Sequence, residues 1–243
     1  MKLLKRIGII DIGSNSIRLV VFDGPRRSPL YLYNEKVFFR LGMQSFGGNS
    51  FNSDTIEAAS RIINRYVEIC RNMEISKIIM FGTSALREAS NSTALVELIK
   101  KKTNIFVDVI SGEKEAQYAA QGILLGFPNA EGTICDLGGN SVEFANIRKN
   151  MITDCNSALL GPLTIKKLEG EFDNVGRYMH EQLSTAINVN RIKDKSFFLI
   201  GGSWRAIAKI HMQRTKYPLK MIQGYKVESK KLKKTLEYIQ DSS

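Results

Sequence analysis

The sequence predicts an α/β protein made of two copies of one domain, each on a mixed five-stranded sheet, the second copy shortened at its C-terminal end. Three observations lead there. The segment Asp11-Ile12-Gly13-Ser14-Asn15-Ser16-Ile17 returns as Asp136-Leu137-Gly138-Gly139-Asn140-Ser141-Val142. Each copy stands behind a run of β-branched residues that reads as a strand. Beyond each copy the apolar residues pass from alternation to helical spacing in the same order. The repeat divides the 243 residues into 1–126 and 127–243, each within the usual domain size.

In the first half, Ile7 to Ile12 and Ile17 to Phe22 flank the repeated loop as a strand pair, and Leu30 to Leu41 supplies a third strand. A helix capped by Ser53 or Asp54 follows, its stripe running through Ile56, Ala59, Ile62, Ile63, Tyr66, Val67 and Cys70. Then come a strand at Lys77 to Gly82, a helix at Thr93 to Lys102, a strand at Ile105 to Ile110 and a helix at Glu113 to Leu125. Gly126-Phe127-Pro128-Asn129 breaks the pattern and marks the hinge. The second half repeats the opening with Thr133 to Asp136, Val142 to Ile147 and Met151 to Asn156. A helical region from Leu163 to Asn188, a strand at Ser196 to Ile200, and helices at Trp204 to Met212 and Glu228 to Ile239 complete it. A last strand and helix equivalent to Ile105 to Leu125 are not found, which would leave a sheet edge open and makes a homodimer plausible.

Composition narrows the function classes. Hydrophobic residues are 43% and charged residues 24%, as in ordinary globular proteins. No apolar run approaches the ~20 residues of a membrane span, and no signal-peptide cleavage region is evident, so the expectation is a cytoplasmic chain without a membrane partner. Cys70, Cys135 and Cys155 are odd in number and lack CxxC spacing, which argues for reduced thiols and against a zinc site. His180 and His211 alone are too few for a His-based triad or a HExxH centre. The net charge of +11 attracts polyanions, with clusters at Lys100 to Lys102 and Lys230 to Lys234. No zinc-finger, RNP-like or helix-turn-helix signature directs that charge to nucleic acid.

The repeated loops carry the chemistry. A glycine-rich turn after a strand presents N–H groups and hydroxyls to an anion, so Gly13, Ser14, Asn15 and Ser16 would cradle a phosphate while Asp11 orients water or a metal ion. A plain hairpin turn would explain one such loop, but not two sharing this much sequence. Arg87, in Thr83-Ser84-Ala85-Leu86-Arg87, follows a strand and stands where α/β sheets bind ligands. A guanidinium there can bind two phosphate oxygens, unless it is spent on Glu88 or Glu57. Glu113 and Glu115 open a helix, which dipole complementation alone would explain. Gly201-Gly202-Ser203 makes another strand-to-helix turn able to receive an anion or nucleotide, with Arg205 in reach of phosphate and Trp204 read as core.

Taken together, DIGSNSIRL, TSALREASN, VISGEKEA, DLGGNSVEF and GGSWRAIAK resemble, in order, the motifs of the exopolyphosphatase and guanosine pentaphosphate phosphohydrolase family. That family lies in the actin, sugar kinase and Hsp70 superfamily, whose duplicated actin-like (ribonuclease H-like) domains close over a phosphate chain. The resemblance implies that Glu115 is the base activating water, that Arg87 binds phosphate, and that Asp136 and Glu143 hold Mg2+. It also implies phosphate contacts from Gly138, Gly139, Asn140 and Ser141. Two departures stand out. Lys114 replaces a frequent second Glu, where its ammonium would favour ionised Glu115 or help hold phosphate. Asn140 replaces the third glycine of a GGGS loop and is the least costly non-glycine choice if the backbone needs positive φ, though its side chain would crowd a phosphate.

The expected activity is Mg2+-dependent hydrolysis of terminal phosphoanhydride bonds of inorganic polyphosphate, with guanosine pentaphosphate as the second substrate. Two other classes compete. A binding protein degenerate through Lys114, Asn140 and the missing elements would hold polyphosphate or nucleotide without turnover. A sugar or acetate kinase of the same superfamily would form ADP.

Overall fold

The computed structural model describes residues 5–45, 49–168, 175–187 and 196–242. Two compact units are present, Met1–Phe198 and Leu199–Ser243. The expected hinge at 126–129 lies inside the first unit, which therefore contains both repeated loops.

The first sheet has the order β3-β2-β1-β4-β5, formed by β1 (Ile7–Ile12), β2 (Ser16–Phe22), β3 (Tyr31–Phe38), β4 (Lys77–Gly82) and β5 (Val107–Val109). β1 pairs antiparallel with β2 and parallel with β4, which makes the sheet mixed as expected. Its buried face carries Ile10, Ile12, Ile17, Leu19, Val21 and Met80, all at 2% exposure or less. Against them pack α2 (Ser53–Asn72) and α4 (Ser92–Thr103), through Ala59, Ile63, Tyr66, Val67, Leu95 and Ile99. Each fully buried Ile or Leu on this face contributes about 1.5–3 kcal/mol.

Local chemistry differs from expectation at several points. Asn52, one residue before the expected caps, caps α2, its Oδ1 accepting the Thr55 N–H at 2.8 Å. The third strand is shorter than Leu30 to Leu41, and β5 is shorter than Ile105 to Ile110. Two short helices were not expected, α1 (Gly42–Ser45) and α3 (Ser84–Glu88). Ser111 caps α5 (Gly112–Gly126) by accepting the Lys114 N–H at 3.2 Å.

The second sheet has the order β8-β7-β6-β9 among the described residues, formed by β6 (Gly132–Leu137), β7 (Val142–Arg148), β8 (Met151–Ala158) and β9 (Ser196–Gly201). This order repeats β3-β2-β1-β4 of the first sheet and lacks a counterpart of β5, the shortening the repeat led us to expect. α5 crosses to this sheet and packs chiefly on β7 and β8, with the small residues Ala116 and Ala120 on its buried face. The helical region expected at Leu163 to Asn188 is represented by α6 (Pro162–Leu168) and α7 (Val175–Ala186), and residues 169–174 and 188 lie outside the described residues. β9 straddles the boundary between the units.

The second unit holds α8 (Gly202–Arg214) and α9 (Ser229–Asp241), which pack on each other. His211 is buried there with its Nδ1 2.6 Å from the Tyr225 hydroxyl, an ordinary structural histidine. All three cysteines are free. No helix among the described residues is long and apolar enough to cross a membrane.

Candidate active site

The two repeated loops are the tips of hairpins with the same internal geometry. In the β1–β2 hairpin the Gly13 N–H donates to the Ser16 carbonyl at 3.0 Å, and in the β6–β7 hairpin the Gly138 N–H donates to the Ser141 carbonyl at 3.0 Å. Neither turn needs left-handed backbone. Asn140 is absent from the positive-φ residues, so its expected conformational role does not apply.

The tips touch each other instead. A Cβ on Gly139 would stand 3.0 Å from Ser14 Cβ and 3.3 Å from Asn15 N, so the glycine permits this approach. Asn140 is fully buried, and its Nδ2 donates to the Gly42 carbonyl at 3.2 Å. Gly42 in turn donates its N–H to the Ser14 carbonyl at 2.8 Å. The Asn140 side chain therefore ties the second loop to the segment that holds the first, rather than crowding the space in front of them. The Ser14 hydroxyl lies 2.6 Å from that of Ser84, and the Ser141 hydroxyl bonds Glu143. Gly13, Asn15, Ser16, Gly138 and Gly139 are half-buried, whereas Ser14, Asn140 and Ser141 are buried.

Cross-strand register then separates the loops. Asp11 pairs with Arg18, but Asp136 pairs with Glu143. Like charges directly opposite destabilise a hairpin unless something positive joins them. Arg87 supplies part of that charge. Carried by α3 just beyond β4, it donates from Nη1 to Glu115 Oε2 at 2.8 Å and to the Ile110 carbonyl at 2.9 Å. Its Nη2 lies 3.8 Å from Glu143 Oε1. Neither Glu88 nor Glu57 holds it; Glu57 pairs with Lys102 at 2.7 Å.

Burial pushes Glu143 up to about 8, helped by the charges of Glu115 and Asp136 and opposed by the hydroxyls of Ser141 and Ser157. Burial likewise raises Asp11 to about 7, with Glu115 and Asp136 adding to the shift while Arg18 and Lys36 oppose it. Glu115 is also raised by burial, and Arg87 pulls it back. Asp11, Glu115, Asp136, Glu143 and Arg87 thus form one electrostatic cluster at the loops. Lys114 does not join it: its Nζ donates to Gln117 Oε1 at 3.0 Å and lies over the Tyr118 ring on the exposed side of α5. Glu113 is exposed and held low by hydrogen bonds to its own backbone N–H and to Ser111, which fits helix capping.

Gly202 and Arg205 lie in the second unit, both exposed at the start of α8. Trp204 is half-buried there. Three residues to which the motifs assign no role also contribute: Ser84 beside the first loop, Gly42 between the loops, and Ser157, whose hydroxyl donates to Glu143 Oε1 at 2.9 Å. Among the described residues no three His, Cys, Asp or Glu side chains form a ready metal-ligand group. A pair of carboxylates completed by phosphate oxygens and water is, however, what Mg2+ commonly uses.

Known proteins share this architecture. Exopolyphosphatase 1 of Mycobacterium leprae is 26% identical over 144 residues, 58% of this chain and 42% of that protein. The bifunctional 3-dehydroquinate synthase/phosphatase of Fusobacterium nucleatum is 28% identical over 145 residues, 56% of this chain and 22% of that protein. This chain thus spans about two fifths or less of the length of these curated relatives. The crystal structure of an exopolyphosphatase from Cytophaga hutchinsonii superposes with a TM-score of 0.74 at 27% identity, covering 88% of this chain and 72% of that one. The Aquifex aeolicus PPX-GPPA enzyme gives 0.69 at 21%, covering 88% and 73%, a likeness of fold. The Ppx/GppA phosphatase family profile matches residues 20–242, and with two duplicated hairpin loops meeting over one carboxylate and arginine cluster, the chain belongs to that family.

Proposed function

We propose that the chain hydrolyses the terminal phosphoanhydride bond of inorganic polyphosphate by in-line attack of water. The observation that carries this is the Arg87–Glu115 contact at 2.8 Å beside the two loop tips. Burial keeps Glu115 more basic than a solvated glutamate, which suits a group that takes a proton from water. Arg87 reaches both Glu115 and Glu143, so one guanidinium spans the water-activating carboxylate and the charge-stabilising side. Asp136 and Glu143 would hold Mg2+, which when bound would offset charge on the phosphoryl oxygens. The net charge of +11 and the relatives named exopolyphosphatase favour polyphosphate over guanosine pentaphosphate.

Purified chain with Mg2+ and long-chain polyphosphate is expected to release orthophosphate. Glu115→Gln should lower that rate on the order of 10²–10⁴-fold while leaving polyphosphate bound. Binding without release, unchanged by Glu115→Gln, would establish the binding-protein alternative. Formation of ADP from ATP and a carbon substrate would establish the kinase one.

A further inference from the structure

Glu143 is 1% exposed, and its two oxygens face different surroundings. Oε1 accepts the Ser157 hydroxyl at 2.9 Å and has Arg87 Nη2 3.8 Å away. Oε2 lies on the side of the second loop, 3.9 Å from where a Cβ on Gly138 would stand. The β7–β8 register sets Ser157 directly opposite Glu143. From the other side, the first turn of α5 comes so close that a Cβ on Gly112 would stand 2.2 Å from Ser157 Cβ and 3.7 Å from Arg87 Nη2.

From this geometry we propose that Ser157 is a positioning residue for the divalent cation: its hydroxyl holds Glu143 Oε1 so that Oε2 faces the second loop. The proposal rests on the reading of Glu143 as a metal ligand. Held by the hydroxyls of Ser157 and Ser141, this buried carboxylate has lost its freedom to rotate about the terminal bond, and Oε2 is preset on the side of the second loop. Removing a hydrogen-bond partner behind a metal ligand commonly costs about 10–100-fold in metal affinity. No motif marks Ser157, since it acts only through the residue opposite it.

The test is direct binding of Mn2+, read by electron paramagnetic resonance and calorimetry, to the full chain and to Ser157→Ala, Glu143→Gln and the double variant, with melting temperatures recorded. Ser157→Ala should keep a melting temperature near that of the parent and weaken Mn2+ binding by about 10-fold or more. Added to Glu143→Gln, it should weaken binding no further, because its effect passes through Glu143. Unchanged affinity in Ser157→Ala, or the same loss in both backgrounds, overturns the role of Ser157. Unchanged affinity in Glu143→Gln overturns the metal reading and the proposal together.

Discussion

Arg87 joins three groups on different elements: it hydrogen-bonds the Ile110 carbonyl after β5 and Glu115 on α5, and its Nη2 lies 3.8 Å from Glu143 on β7. A planar fork of five N–H donors can do this; a lysine ammonium on a flexible stem cannot hold the same three. Arg87→Lys is therefore expected to fold and to lose turnover on the order of 10²–10³-fold, measured as steady-state phosphate release. Rates near those of the parent chain would show that charge alone suffices. Asn140 separates two effects of opposite sign. Its Nδ2 bond to Gly42 stabilises the loop contact, but its buried Oδ1 has no partner. Asn140→Gly gives up the bond and relieves the orphan oxygen, so the net change should stay within about 1 kcal/mol. Asn140→Asp places a carboxylate against the Gly42 carbonyl and should cost about 3–5 kcal/mol in denaturant unfolding.

At the scale of elements, α5 links the halves: its motif belongs to the first, while its apolar face lies on the second sheet. One substitution at two of its positions should have opposite outcomes. Gly112→Ala drives a Cβ to within 2.2 Å of Ser157 Cβ and should cost about 1–3 kcal/mol, with weaker phosphate release as Ser157 and Arg87 shift. Gly122→Ala meets nothing within 4 Å and should stabilise by about 0.4–1 kcal/mol through helix propensity. Urea unfolding of both variants checks the contrast. The same helix shows what the sequence could reveal. Its existence and the two loop turns were legible because helical spacing and turn chemistry are local, while its cap at Ser111 came from the structure. Its docking on β7 and β8 was not, because the partner face is assembled from residues further along the chain. α1 and α3, with four and five residues, are too short to show a period. Asn52, Ser53 and Asp54 are all cap formers, and only the bond to Thr55 N distinguishes Asn52. Ser157 was invisible because a register, not a motif, brings it to Glu143.

For the whole molecule, the carboxylate cluster makes stability depend on pH in a direction set by its raised pKa values. Asp11 is raised to about 7 and Glu143 to about 8, against roughly 3.9 and 4.3 in an unfolded chain. Between those limits the folded chain binds more protons than the unfolded one, so these two groups make stability fall as pH rises, until they ionise. Other groups act elsewhere. Glu57 and Glu113 are lowered, so their contribution is present at neutral pH and is lost only in acid. His211 is lowered by burial and destabilises the fold below about pH 6.5, where its unfolded form takes up a proton. The window from about pH 6.5 to 8 therefore reports on Asp11 and Glu143, with Glu115, also raised by burial, acting in the same direction. In it the metal-free chain should lose several degrees of melting temperature as pH rises, at roughly 2–4 °C per kcal/mol for a protein of this size. Millimolar Mg2+ should restore more of that loss at pH 8 than at pH 6.5, because a cation competes with the proton for the same oxygens. A melting temperature that rises with pH in metal-free buffer would mean that these carboxylates are ionised and already compensated within the fold.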